Sequence, residues 1–240
     1  MTMSNSILTN YYGVVAALDQ SIGIVVDKLE SIGRLNNTLI LFASDNAGET
    51  TSTGGVLEMI PHRPFRGTKR LVYEGGIRIP GFIHWQGVIT QNAVVSEPTT
   101  LLDFAPTFLD IIHPHFPSLM VISPVDEMDG ESWLPMIMKP GEWARNGSFG
   151  ICQPVSHLTN VVCERYAFVS GRFKLITRRY RPGVPEIYDI SRDPGERINL
   201  AGNNTLRRAL QAGGESWIRK VYSQYYDNCV PKRPRRPGQG

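Results

Sequence analysis

Apolar positions in the first part of the chain recur with a helical period. Between Leu8 and Ile32 they return at steps of three and four residues, which is the stripe of an amphipathic helix. Gly33 follows at once and is placed to end the helix as the left-handed residue past its last turn. The pattern therefore predicts a long helix that leads directly into the next element.

That next element is a short apolar run, from Thr38 to Ala43, which stops at Ser44-Asp45-Asn46-Ala47-Gly48. A run of this length bounded by turn residues fits a central strand of a parallel sheet, buried on both faces. Ligands of open α/β sheets bind outside the carboxyl ends of such strands. Asp45 and Asn46 are therefore candidate oxygen ligands of a hard cation such as Mg²⁺ or Ca²⁺.

Later patterns complete an α/β chain with an antiparallel end. A strand is expected from Ile79 to Trp85, and a helix begins at Asp103 with Pro106 in its first turn. After Gly141 come three short strands near 166–169, 173–177 and 186–190, and then a helix from Leu206 to Tyr226 that Gly213-Gly214 weakens.

The predicted fold class is α/β, part of a doubly wound mixed or mostly parallel sheet, with a smaller C-terminal antiparallel sheet plus a helix. We expect a catalytic α/β region over 1–140, a small α+β subdomain over 141–230 and a basic disordered tail over 231–240. The segment from Glu49 to Pro64, which contains His62, reads as a long loop.

The composition of the chain excludes several classes of function. The chain is 41% hydrophobic and 20% charged, as in ordinary globular proteins, and its net charge of +3 comes from four basic residues among the last ten. We therefore expect no specific nucleic-acid partner. No apolar stretch reaches the roughly 20 residues that a membrane span needs, and no signal peptide is visible after Met1. Three cysteines allow at most one internal bridge, and sequons at Asn36, Asn146 and Asn203 lean towards the secretory pathway.

A second candidate segment runs from Phe65 to Pro80, where Lys69 lies in a loop punctuated by glycines. Gly75 and Gly76 are expected to provide the backbone conformation that this turn needs. Each signal is weak alone, since aspartate and asparagine are ordinary turn formers and most lysines are exposed. Together the two segments read as a site for a hard cation and an oxyanion.

The order of these motifs resembles the second half of the sulfatase family, within the alkaline phosphatase superfamily, and is most similar to arylsulfatases, with an ending like the B type. The resemblance runs in order from about Tyr11 to Gly202. It is carried by Ser44 to Gly48, Arg66 to Lys69, Tyr73 to Pro80, Asp103 with Pro106-Thr107, Asp129-Gly130, Gly171 to Leu175, Tyr188 to Ile190, Asp193 to Glu196 and Asn199-Leu200.

By position, the resemblance implies that Asp45 and Asn46 are ligands of an active-site Ca²⁺ and that Lys69 contacts the sulfate group. It also implies a formylglycine nucleophile, made from the cysteine of an upstream Cys-X-Pro-Ser-Arg motif that this sequence lacks. Cys152-Gln153-Pro154 is a coincidental likeness to that motif. We therefore predict Ca²⁺-assisted hydrolysis of an aryl or sugar sulfate by family, no activity for this chain alone, and a lysosomal or extracellular location.

Two alternatives stay open. One is a phosphatase or phosphodiesterase of the same superfamily. The asparagine at position 46 is evidence against this alternative. The other is a non-catalytic remnant whose basic tail, Pro231 to Gly240, binds polyanions in a salt-sensitive way.

Overall fold

The structure is a computed structural model that describes residues 5–53, 56–59, 63–116, 128–154, 163–178 and 183–229. The chain divides into two compact units, Met1–Arg145 and Asn146–Gly240. The predicted basic tail and His62 lie outside the described residues. None of the helices in the described ranges is both long and apolar enough to cross a membrane.

The first unit opens with helix α1, Asn5–Ser31, which confirms the periodic prediction. Gly33 has φ +66, and its N–H donates to the carbonyl of Glu30 while that of Arg34 donates to Leu29. These two bonds form the Schellman motif, so the glycine ends the helix as expected.

The apolar face of α1 is exposed to solvent. Val14 is 70% exposed, Ile24 63% and Val25 58%. An amphipathic stripe normally packs on a core, but here only Ile22, Val26 and Leu29 of the stripe are half-buried. The spacing of apolar residues in the sequence reveals the stripe, whereas its burial depends on which other element packs against the helix.

Strand β1 is Ile40–Ala43, and it pairs antiparallel with β4, Gly81–His84. Phe42 lies opposite Phe82 and the rings stack with centroids 5.0 Å apart. All four β1 residues are only partly buried. The expected burial of this strand on both faces is therefore wrong, and the pairing that the described residues give it is antiparallel, because an apolar run does not encode its partner's direction.

The segment expected to be a loop contains a hairpin. Strands β2, Thr50–Thr53, and β3, Val56–Met59, pair antiparallel. The β-branched residues that fill β2 and open β3 favour extended backbone, and a Thr/Gly-rich composition alone did not reveal that pairing.

Short helices fill the rest of the first unit. They are a 3₁₀ turn at Leu35–Asn37, α2 at Glu74–Ile77, a 3₁₀ turn at Leu101–Asp103, α3 at Phe104–Ile112 and α4 at Leu134–Met138. Trp133, Met136 and Ile137 form the buried centre of one core cluster, with Phe104 edge-on to the Trp133 ring.

Asp103 is the polar centre of this unit. Its carboxylate is fully buried and accepts bonds from Arg145 Nη1 at 2.7 Å and Nη2 at 3.1 Å. It also accepts from the Trp133 indole and from the backbone N–H groups of Thr100 and Glu131. The expected cap of α3 is therefore wrong in its detail: the side chain caps the preceding 3₁₀ turn and fixes the 131–145 segment.

The second unit is a four-stranded antiparallel sheet covered by one helix. Its strands are β5, Ser148–Pro154, β6, Cys163–Ser170, β7, Phe173–Arg178, and β8, Glu186–Asp189, in that spatial order. Gly171, at φ +52, lies in the turn between β6 and β7. The sequence reading found three of these strands and missed β5.

Helix α5, Asn204–Cys229, packs on this sheet through its glycines. A Cβ on Gly213 would lie 2.8 Å from the Phe168 ring, and one on Gly214 would lie 3.2 Å from the Tyr166 ring. Gly213-Gly214 therefore permits close helix–sheet contact over a cluster that includes Leu175, and does not merely weaken the helix.

A buried ion pair lies in the second unit. Lys174 Nζ and Glu196 Oε1 are 2.8 Å apart, and both side chains are fully buried. Breaking such a pair is costly, because it leaves one charge without its counter-charge in a low-dielectric interior.

Candidate functional site

The turn after β1 carries the two predicted cation ligands. Asp45 is exposed and Asn46 is half-buried. The N–H of Asn46 donates to Asp45 Oδ1 at 2.9 Å, and Ser44 Oγ donates to the carbonyl of Asn46 at 2.8 Å. The turn therefore holds a carboxylate and an amide side by side at the end of the strand, with Asp45 open to solvent.

Lys69 stands at the corner of a tight turn. The N–H of Leu71 donates to the carbonyl of Thr68 at 3.1 Å, and Arg70 between them has φ 75. A positive φ at the third residue is the feature of a type II turn, where glycine or asparagine is usual. A non-glycine residue in this conformation costs roughly 1 kcal/mol and persists only where its surroundings hold it.

Backbone hydrogen bonds join the two turns. The N–H of Lys69 donates to the carbonyl of Gly48 at 2.9 Å, and the N–H of Ala47 donates to the carbonyl of Gly76 at 3.4 Å. An ion pair of 2.7 Å between Arg70 and Glu49 adds a side-chain link. The structure therefore brings together the segments that carry Asp45, Asn46 and Lys69, some twenty residues apart in sequence.

Gly75 and Gly76 support the Lys69 turn by close approach. A Cβ on Gly75 would lie 2.4 Å from the carbonyl oxygen of Gly67, and one on Gly76 would lie 2.1 Å from that of Leu71. Neither glycine has a positive φ, and both lie in α2. The expectation that they provide a special backbone conformation is wrong: the reason for glycine here is steric.

Charged residues of the same loop shape it from within. Glu74 is buried, and its Oε2 lies 3.4 Å from Arg78 Nη1. The guanidinium of Arg66 lies 4.0 Å above the centre of the Tyr73 ring, which is a cation–π contact. These contacts stabilise the conformation of the loop that carries Lys69.

The Asp45-Asn46 turn offers the right type of oxygen ligand for a hard cation but too few of them. Carboxylate and amide oxygens are what Ca²⁺ prefers, but the ion takes about six to eight of them. In the part of the chain that the structure describes, no cluster of three or more His, Cys, Asp or Glu side chains could hold a metal. These residues can supply part of a coordination sphere and not a whole one.

The structure also defines the roles of Cys152 and Asp103. Cys152 is disulfide-bonded, so its sulfur is not available for conversion to a formylglycine, in line with the coincidental reading of its neighbourhood. The Asp103 carboxylate is saturated by donors in the protein core, so it is a structural group and not a metal ligand. Sequence reasoning missed this role because the partner Arg145 is 42 residues away.

The structure joins the Asp45-Asn46 turn to the Lys69 turn on an α/β scaffold, and comparison with known proteins gives the family. Residues 2–114 match the family described as Sulfatase, and residues 62–212 match N-sulphoglucosamine sulphohydrolase, C-terminal. The chain belongs to the sulfatase family, sulfuric ester hydrolases, and the predicted resemblance is confirmed.

Individual relatives agree with this assignment. A protein named Sulfatase from Formosa agariphila is 30% identical over 216 residues, which is 84% of this chain and 37% of the relative. The N-acetylglucosamine-6-O-sulfatase of Bacteroides thetaiotaomicron is 28% identical over 225 residues, 92% of this chain and 36% of the relative.

A solved structure confirms the fold class. It is the structure of a protein in complex with its substrate D-glucosamine-2-N,6-O-disulfate, matched with TM-score 0.58 and 27% identity over 89% of this chain and 40% of that chain. This chain therefore spans about two fifths of the length of these three proteins.

Proposed function

We propose that this chain carries the lysine and part of the cation site of a sulfatase that hydrolyses sulfate monoesters. The single observation that supports the proposal is the pair of backbone bonds that join the Lys69 turn to the Asp45-Asn46 turn, in a chain of this family. The phosphatase alternative has no specific observation in its favour.

Lys69 is proposed as the residue that contacts the sulfate group. A sulfate ester in transfer carries negative charge on its non-bridging oxygens and gains more on the leaving oxygen. An ammonium group held at the corner of a rigid turn offsets that charge without reorganising as the charge forms. The bond from the Lys69 N–H to Gly48 fixes the backbone from which this side chain projects.

Asp45 and Asn46 are proposed as two ligands of a Ca²⁺ ion, which would neutralise charge on the bound ester. Their side-chain oxygens are the right type of donor for Ca²⁺, and the remaining oxygen ligands of the ion have to come from other groups. The proposed task of these two residues is to hold oxygen ligands beside the lysine turn.

The nucleophile is proposed to be a formylglycine outside this sequence, which contains no Cys-X-Pro-Ser-Arg motif. This chain alone is accordingly proposed to be inactive. Binding of Ca²⁺ by the isolated chain is expected to be weak, since two ligands replace only a small part of the ion's hydration.

A sulfated sugar is the proposed substrate, with an aryl sulfate as the alternative. The support is that one relative is named N-acetylglucosamine-6-O-sulfatase and one structural match holds D-glucosamine-2-N,6-O-disulfate. Passage through the secretory pathway is proposed from the disulfide at Cys152, since such bonds persist in oxidising compartments. The sequon residues Asn36, Asn146 and Asn203 are all exposed and open to glycosylation.

The experiment follows the backbone amide signals of residues 44–48 by NMR during titration of the 240-residue chain with CaCl₂. We expect shifts centred on this turn at millimolar Ca²⁺, lost in Asp45→Asn and kept in Asp19→Asn, which removes an exposed carboxylate from α1. Shifts that persist in Asp45→Asn would refute the ligand assignment. Turnover of an aryl sulfate or of glucosamine 6-sulfate by the chain alone would refute the proposed inactivity.

A further inference from the structure

Two arginines face each other in the sheet of the second unit. The register of β6 and β7 places Arg165 directly opposite Arg178. Like charges at directly opposed positions of an antiparallel pair destabilise the sheet. Arginines at two opposed positions can also bind one oxyanion together through their N–H donors.

Both arginines line an open cavity of about 360 Å³. Its other lining residues are Ile176, Thr177, Gly183, Val184 and Glu186. Glu186 is the one carboxylate among them, and its Oε2 already accepts a hydrogen bond of 2.7 Å from the hydroxyl of Tyr188. Among the described residues, the lining therefore includes two arginines and one glutamate whose carboxylate is bonded to a hydroxyl.

We propose that this cavity is a binding site for an oxyanion, the sulfate or carboxylate group of a sugar-sized ligand. Guanidinium groups present planar forks of N–H donors that match the paired oxygens of such anions. The volume lies in the range of small-molecule sites, about 300–1,000 Å³. The site contains none of the residues of the proposed catalytic region and does not depend on the proposed hydrolysis.

The cavity differs from a diffuse basic surface in its geometry. A diffuse surface attracts anions through total charge, so that any one charge is as effective as another. Here the register places Arg165 and Arg178 at opposed positions of neighbouring strands, and both residues line the same cavity. Anion binding should therefore depend on an arginine at position 178, and not only on a positive charge there.

The test is an NMR titration of the full 240-residue chain with sodium sulfate and, separately, with sodium glucuronate, each against sodium chloride at equal ionic strength. We expect the backbone amides of Thr177 and Gly183 to shift saturably with sulfate, with glucuronate or with both, and the tighter ligand identifies the group that the site prefers. Absence of a saturable shift with either salt overturns the proposal.

Variants assign the effect to the arginines. Arg178→Gln should raise the dissociation constant about tenfold or more, because charged hydrogen bonds are lost. The dissociation constant of Arg178→Lys should lie between that of Arg178→Gln and that of the unmodified chain. Arg208→Gln removes one exposed charge from α5 and should change the constant less than about twofold. Equal weakening by Arg178→Gln and Arg208→Gln overturns the proposal, as does wild-type affinity in Arg178→Gln.

Two readouts separate this site from the proposed catalytic region. Lys69→Gln should leave the Thr177 and Gly183 shifts intact, and their loss in that variant would overturn the independence of the site. Without added oxyanion, Arg178→Gln should be as stable as the unmodified chain or slightly more so, because the opposed charges are relieved. A marked loss of stability in that variant would show that Arg178 is a structural residue.

Discussion

Gly76 is the residue on which the geometry of the lysine turn depends most directly. In Gly76→Ala the added methyl would lie 2.1 Å from the carbonyl oxygen of Leu71 and 2.4 Å from that of Thr68. Both carbonyls belong to the turn that presents Lys69, and carbon atoms in proteins do not approach oxygen closer than about 3.0 Å. The turn must therefore move by roughly 1 Å, which costs about 1–3 kcal/mol as overpacking does elsewhere.

The measurement is amide hydrogen exchange of the 240-residue chain. The N–H groups of Lys69 and Leu71 are bonded to Gly48 and Thr68, and loss of 1–3 kcal/mol should speed their exchange about five- to hundredfold. Amides of the second unit serve as an internal reference, since the change lies in the first.

Gly23→Ala is the matched control. It makes the same substitution inside α1, where nothing lies within 4 Å of the new methyl, and it should stabilise the helix by up to about 1 kcal/mol. Wild-type exchange at Lys69 and Leu71 in Gly76→Ala would refute the argument that close approach dictates glycine at this position.

Three further predictions concern buried charge, pH and the exposed helix. Asp103→Asn should lower the free energy of unfolding by about 3–5 kcal/mol in chemical denaturation, whereas Glu142→Gln, in an exposed pair, should change it by less than about 1 kcal/mol. Burial works to raise the pKa of Asp189, but a hydrogen bond from Ser191 and the nearby Arg172 outweigh it and lower the pKa. The stabilisation by the ionised Asp189 carboxylate is present above the ordinary aspartate pKa and is lost as the pH falls through the lowered pKa of the folded state. The melting temperature of Asp189→Asn should therefore depend less on pH in the acid range than that of the unmodified chain. Val14→Ser on the exposed α1 face should reduce binding of a hydrophobic dye.

The sequence can indicate the segments of the candidate site because their signals are local and ordered. Asp45-Asn46 follows an apolar run, and Lys69 precedes two glycines, so a linear scan finds both segments. Their connection through the Lys69 N–H and the Gly48 carbonyl is a tertiary contact, which the sequence implied only through family likeness. The left-handed backbone of Arg70 has no sequence signal, because arginine is not a residue expected there.

The sequence by itself determined the three longest helices, the glycine that ends the first of them, and the family. Helical period predicted α1, and Gly33 marked its end, since both depend on neighbours a few residues away. Tertiary structure alone decided what lies far apart in the chain: the antiparallel partner of β1, the Asp103–Arg145 ion pair and the steric need for Gly76. The physical reason is that period and dihedral preference are short-range properties, whereas strand direction, charge pairing and backbone approach depend on residues that meet only in the folded chain.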